Sequence, residues 1–258
     1  MVAVEISLSA AKQRLRRAHR AGARQMHRFF RRGRIGAVLF GLSIVAAISA
    51  VAQAPTPRAG TEQSGKSLKK DQDAANSRLL AAAEPFEVLT EQAFSATSSK
   101  LQNLVNEVET AAQKVNALLP ADAQSALDKQ LSAIKQAQNP SELALAAVEG
   151  YRILVSLPQD TKIPTAVSLL DYAGFRYNAN LKSNPTRWTD MQNAVEFAQE
   201  QWRSISGQVS RASLQKSFSS ALTRMGQAVA NKSAKAAASA VKDEQDLVDK
   251  LEVYFRKK

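Results

Sequence analysis

The sequence predicts an all-α protein: an up-and-down antiparallel bundle of about six helices with heptad-like seams, preceded by an N-terminal export segment. Three observations lead there. Beyond residue 73, apolar residues recur at alternating spacings of three and four, the period of helices with one buried stripe. The connections between these segments are short and marked by Pro, which sets consecutive helices side by side and antiparallel. Alternating Val/Ile/Thr runs and Asn-Gly hairpin turns are missing, so nothing argues for a sheet.

In chain order, residues 1–34 form a basic n-region in which Arg28, Arg31, Arg32 and Arg34 lead into an uncharged run, 35–54, reading IGAVLFGLSIVAAISAVAQA. A positive flank, an apolar stretch and a small-residue Ala50-Val51-Ala52 pattern make a secretory signal with cleavage before Gln53. The competing reading is an uncleaved anchor, since about 20 residues of helix are just enough to cross a bilayer core. The basic flank stays cytoplasmic in both readings, so residues after 54 are expected in the periplasm. The basic stretch before Met26 is compatible with an amphipathic cytoplasmic helix, although a start at Met26 would leave an ordinary n-region. Residues 55–72, rich in Pro, Gly, Ser and charge, read as a flexible linker.

The domain is then residues 73–258. A short helix is expected from Asp73 to Glu84, interrupted at Pro85. Phe94, Ser98, Leu101, Val105, Val108, Ala112, Val115 and Leu119 form a heptad seam that Pro120 stops. A helix over about Asp122–Gln138 turns Leu127, Leu131 and Ile134 inward. Asn139-Pro140-Ser141-Glu142 supplies an N-cap, a first-turn Pro and a first-turn acid for the next, carrying Leu143, Ala147, Val148, Tyr151 and Val155. The helix after Ile163-Pro164 has Val167, Leu170, Gly174, Tyr177 and Leu181 on one stripe. A second heptad seam follows in Trp188, Met191, Val195, Ala198, Trp202, Ile205 and Val209. Ser210 or Ser213 is expected to cap a helix with Leu214, Phe218, Ala221, Met225 and Ala228. A C-terminal helix closes the chain with Val241, Val248, Leu251 and Phe255 inward.

Charge and composition exclude several function classes. The net charge is +12, but of 35 Lys and Arg ten precede residue 53, against one of 23 acids, so the remainder is only +3. A nucleic-acid partner needs positive charge on the folded domain, and none is expected. There is no Cys, and both His, His19 and His27, lie in the n-region. Thiol nucleophiles, His-assisted nucleophiles and the commonest metal ligands are therefore missing from the domain. Neither metal, cofactor nor catalytic residues are expected, and an enzyme is the least favoured class.

The candidate site is the aromatic-rich stretch from Asp171 to Trp202. Asp171, Tyr172, Arg176, Tyr177, Trp188, Trp202 and Arg203 are its candidate interaction or ion-pair residues. Rigid aromatics and Arg suit a protein-binding surface, while the heptad positions of Trp188 and Trp202 suit a core. Asp171, at the edge of the inward stripe, calls for a partner if buried, with Arg176, Arg187 or Arg203 in reach. The expectation is an exported, non-enzymatic binding or scaffolding bundle whose partner is another envelope protein or a second copy, with an interaction surface on helices spanning 164–205. The alternatives are a membrane-tethered bundle, touching the membrane only through 35–54, and a small-ligand carrier with a pocket near Asp171, Tyr177 and Trp188.

Overall fold

The computed structural model describes the backbone from Gly60 onward and side chains from Leu68. The basic segment, the apolar run 35–54 and the start of the expected linker lie outside the described residues. Among the described residues there are eight α-helices and no strand: α1 (Gly60–Gln92), α2 (Ser98–Val115), α3 (Ala121–Gln136), α4 (Pro140–Val155), α5 (Thr165–Lys182), α6 (Trp188–Ile205), α7 (Ala212–Ala230) and α8 (Ala234–Lys257). The fold is all-α. Short 3₁₀ turns, Asn116–Leu118 and Ser206–Gln208, follow α2 and α6.

The count exceeds six: the eight helices fall where the eight apolar-periodic segments lie in the sequence, except that the seam expected from Phe94 to Leu119 starts only at Ser98, after a turn. Thr97 caps α2, its hydroxyl accepting from Lys100 N at 3.4 Å. With the helix starting there, Ser98 is exposed and the buried stripe runs through Leu104, Val108, Ala111 and Val115. The Asn139 cap forms as expected, accepting from Ser141 N and Glu142 N at 3.1 and 3.0 Å, while Glu142 accepts from Gln138 N at 2.8 Å. Neither Ser210 nor Ser213 caps α7, which begins after Arg211 without a side-chain cap; Ser210 bonds to the Tyr254 hydroxyl instead.

α1 also departs from expectation. It begins at Gly60, inside the stretch read as linker, and passes through Pro85 without ending. Pro85 removes one backbone hydrogen bond, but the next turn is held from outside the helix. Phe86 and Leu89 are fully buried, and the Phe86 ring lies directly on Gly150 of α4, where any Cβ would overlap it. Burial of two large side chains outweighs the roughly 3 kcal/mol penalty of an internal Pro.

The packing order explains where the cores sit. α1 packs on α2 and α4, and α3 on α2 and α4; α5 packs on α6 and α8, and α7 on α6 and α8. Each set of four closes on itself around its own buried cluster. α5 joins the two sets, packing also on α4 and α1. It gives Tyr172, Phe175 and Ala179 to the first core and Val167, Leu170, Ala173 and Tyr177 to the second. No helix among the described residues is long and apolar enough to cross a membrane.

Candidate functional site

Because α5 faces two cores at once, little of its surface is left for solvent, and that remainder lies along its seams with the neighbouring helices. Toward α4 and α6 the seam is a hydrogen-bonded network. The Tyr172 hydroxyl donates to Glu149 Oε1 at 2.8 Å and accepts from Arg176 Nη1 at 2.7 Å. Arg176 also pairs with Glu149, and Arg152 Nε meets the other Glu149 oxygen at 2.9 Å. The Tyr172 ring packs edge-on against Phe197 of α6, centroids 5.4 Å apart, with the Arg152 guanidinium 5.8 Å from its centroid. Burial and the Glu149 charge push the Tyr172 phenol up to about 12.

Toward α1 and α8 the chemistry is carboxylate. Asp171 is half-buried and accepts from the Tyr151 hydroxyl of α4 at 3.2 Å. None of the expected arginines reaches it: Arg176 goes to Glu149, Arg187 to Asp190 at 2.9 Å, and Arg203 Nε to the Gln199 carbonyl at 3.3 Å. The reason is register, since helical spacing turns each Arg toward a seam other than the one Asp171 occupies. With a phenol in place of a cation, burial raises the Asp171 carboxyl well above the usual range, and the charges of Glu87, Glu244 and Glu252 raise it further.

Glu244 is the residue that sequence reasoning passed over. It is fully buried on α8, and neither carboxylate oxygen has a hydrogen-bond partner. The carboxyl lies against Gly174 of α5, where a Cβ would overlap it. Burial alone drives it well above the usual carboxylate range, favouring the uncharged form. A signal was present: Glu244 sits three residues after Val241 and four before Val248, on the buried stripe of α8. Glu87 of α1 is half-buried, and burial plus Glu91, Glu252, Glu84 and Asp249 push it up to about 8.

The remaining predicted residues are distributed between the core and its rim. Tyr177 is wholly buried, its hydroxyl donating to the Met225 carbonyl at 3.2 Å. Trp202 stacks on Phe218, centroids 4.6 Å apart, and donates to Ser219 Oγ at 2.9 Å. Trp188 is half-buried against the second core and Arg203 is exposed. A cavity of about 520 Å³ lies away from all of these, between α1 and α2, with Ala82, Pro85, Ala111 and Val115 in its wall and Arg78 and Lys114 at its rim. No group of three or more His, Cys, Asp or Glu among the described residues is placed to hold one metal ion. No protein-family model matches the chain, and no curated protein or solved structure matches it at a significant level.

Proposed function

We propose that this is an exported, non-enzymatic binding or scaffolding module, built as two antiparallel up-and-down four-helix bundles that share α5, and that it engages an envelope protein through its α5–α6 face. The observation that carries the reading is the Glu149–Tyr172–Arg176 network with Arg152 beside it. It holds aromatic and guanidinium groups in one geometry at the rim of α4, α5 and α6, so little side-chain entropy remains to be lost on contact. Arg and Tyr in that setting are the residue types that dominate protein-protein contacts. The apolar run after Arg34, with its Ala50-Val51-Ala52 site, supports export.

The test is site-specific photo-crosslinking of the full chain in the envelope of a Gram-negative host. A photoreactive residue at exposed Glu196 of α6 is expected to give a discrete adduct in the periplasmic or membrane fraction, and one at Asp128 of α3 is not. Indistinguishable patterns at the two positions would sink the α5–α6 face. The intact mass of the uncrosslinked chain reports its compartment: a species beginning at Gln53, or one retaining 35–54 in the membrane fraction, fits export, and an uncleaved chain in the cytosol does not.

A further inference from the structure

α1 and α8 both pack on α5 without substantial packing on each other, which leaves a cleft with α5 as its floor. Its two walls carry matching patterns. On α1, Glu84, Glu87, Val88 and Glu91 fall on one stripe, with Leu80 a turn earlier; on α8, Asp249, Glu252 and Val253 do the same. Leu80, Val88 and Val253, at 37, 39 and 47 % exposure, are three of the four large apolar side chains exposed among the described residues. The five wall carboxylates are near enough for their charges to act across the cleft: Glu87 feels Glu252 and Asp249, and Glu91 feels Asp249. Of the five, only Glu252 has an ion-pair partner within 4 Å among the described residues, Arg256 of its own helix at 3.4 Å. One cation, Lys182, stands at the end of the floor, acting on Glu91 and lying 5.4 Å from the Phe94 centroid.

Acids gathered on a surface do not by themselves make a site, but here a second feature lies beneath them. Glu244, fully buried and without a partner for either oxygen, holds its carboxyl from α8 against Gly174 of the floor, about one turn from Asp171. Folding has therefore gathered along the cleft carboxyls whose ionised forms disfavour one another, a cost that cations laid beside them would relieve. The carboxylates are spread along two helices and do not converge on a point, which fits a row of cations better than a single ion. Val88 between Glu87 and Glu91 on one wall and Val253 beside Glu252 on the other call for an apolar stripe beside that row.

We infer that the cleft between α1 and α8 docks a basic amphipathic helix of a partner protein, its Lys and Arg paired with Glu84, Glu87, Glu91, Asp249 and Glu252 and its apolar face laid on Val88 and Val253. Helix-in-groove recognition has this form, with apolar anchors setting the fit and charge setting selectivity and encounter rate. Pairing removes the mutual repulsion of the wall carboxylates, so binding takes up no proton and releases those that Glu87 holds near neutral pH.

The experiment measures binding of a fluorescent helical peptide of repeated Leu-Lys-Lys-Leu-Ala-Lys units to the full chain in non-ionic detergent. The variant Glu87→Gln/Glu91→Gln/Asp249→Asn is expected to weaken binding about tenfold or more, losing several charge pairs at once. Asp122→Asn/Asp128→Asn/Asp160→Asn, the same charge change on α3 and the α4–α5 connection, is expected to leave it within about twofold, since none of these residues belongs to the cleft walls. A photoreactive residue at Val88 should crosslink to the peptide. Equal losses in the two variants would overturn the proposal in favour of unspecific attraction. Tighter binding of a peptide copying residues 9–28 of this chain than of the repeat peptide would overturn it in favour of an intrachain occupant. Removing repelling acids should raise the melting temperature of the first variant, so unfolding will not mimic lost binding. Failure here leaves the Glu196 adduct unaffected, which separates this cleft from the α5–α6 face.

Discussion

A single buried carboxyl, Glu244, sets an unusual pH dependence for the whole fold. Its protonated form is the one the core accepts, so its folded pKa stands above its unfolded value near 4.5. Below the unfolded value both states hold the proton. As pH rises above it, the unfolded state ionises first, and stability falls until the folded value is passed. Glu87 and Asp171 are raised in the same direction and act with the same sign. The protein is therefore expected to melt at a higher temperature at pH 5 than at pH 8, seen by circular dichroism across that range. Glu244→Gln, neutral at all pH, should flatten the slope and raise the melting temperature at pH 8 by about 3 °C or more. A wild-type curve that climbs from pH 5 to pH 8 would contradict this. Asp171→Asn should likewise leave stability at pH 7 unchanged or improved, because its neighbour is a phenol and no cation is lost.

Between elements, two glycines set how closely helices approach. Gly150 lets α1 lay Phe86 on α4, and Gly174 lets α8 lay Glu244 on α5. Adding a methyl at either place forces a packed side chain or a helix to move, an overpacking cost of about 1–3 kcal/mol. Gly150→Ala should pay it in full, since the aromatic ring has no room to retreat. For Gly174→Ala the cost should shrink when Glu244→Ala is already present, and urea denaturation of the four members of that cycle measures the coupling. Additive losses would mean that the two residues do not meet. The same logic explains α1: a helix with an internal Pro survives because its next turn is anchored by burial against a neighbour.

For the molecule as a whole, the shared helix couples the two cores. α5 cannot unfold with one core without stripping Tyr172 and Phe175 or Leu170 and Tyr177 from the other. A cavity in either core should therefore lower the stability of both. Leu154→Ala in the first core and Leu251→Ala in the second, both fully buried, are each expected to cost about 2–5 kcal/mol. Unfolding should remain a single transition, with far-ultraviolet and near-ultraviolet dichroism coinciding; Trp188 and Trp202 both report on the second core. A variant in which Trp fluorescence changes while half the helix signal persists would show that the cores are independent. Charge follows the same division by seam: guanidinium and phenol on the α4–α6 side of α5, carboxylate on the α1–α8 side.

Local pattern was enough to read the all-α class, the Asn139 cap and most inward residues, because a 3.6-residue period and a capping box are properties of contiguous chain. Leu170, Tyr177, Met191, Val195, Phe218 and Leu251 were legible on those grounds alone, and so was the lack of His and Cys after residue 27. What lies across a helix interface is a different kind of information. Pro85 reads as a stop until Phe86 is seen on Gly150. Asp171 reads as the partner of an Arg until register assigns each Arg elsewhere. Glu244 on α8 goes unremarked until α5 is seen to cover it, and nothing in the local sequence tells one amphipathic stripe which other stripe it will meet. That choice, made by α5 when it took two cores instead of one, decided which charges are buried, which are paired, and where an open cleft remains.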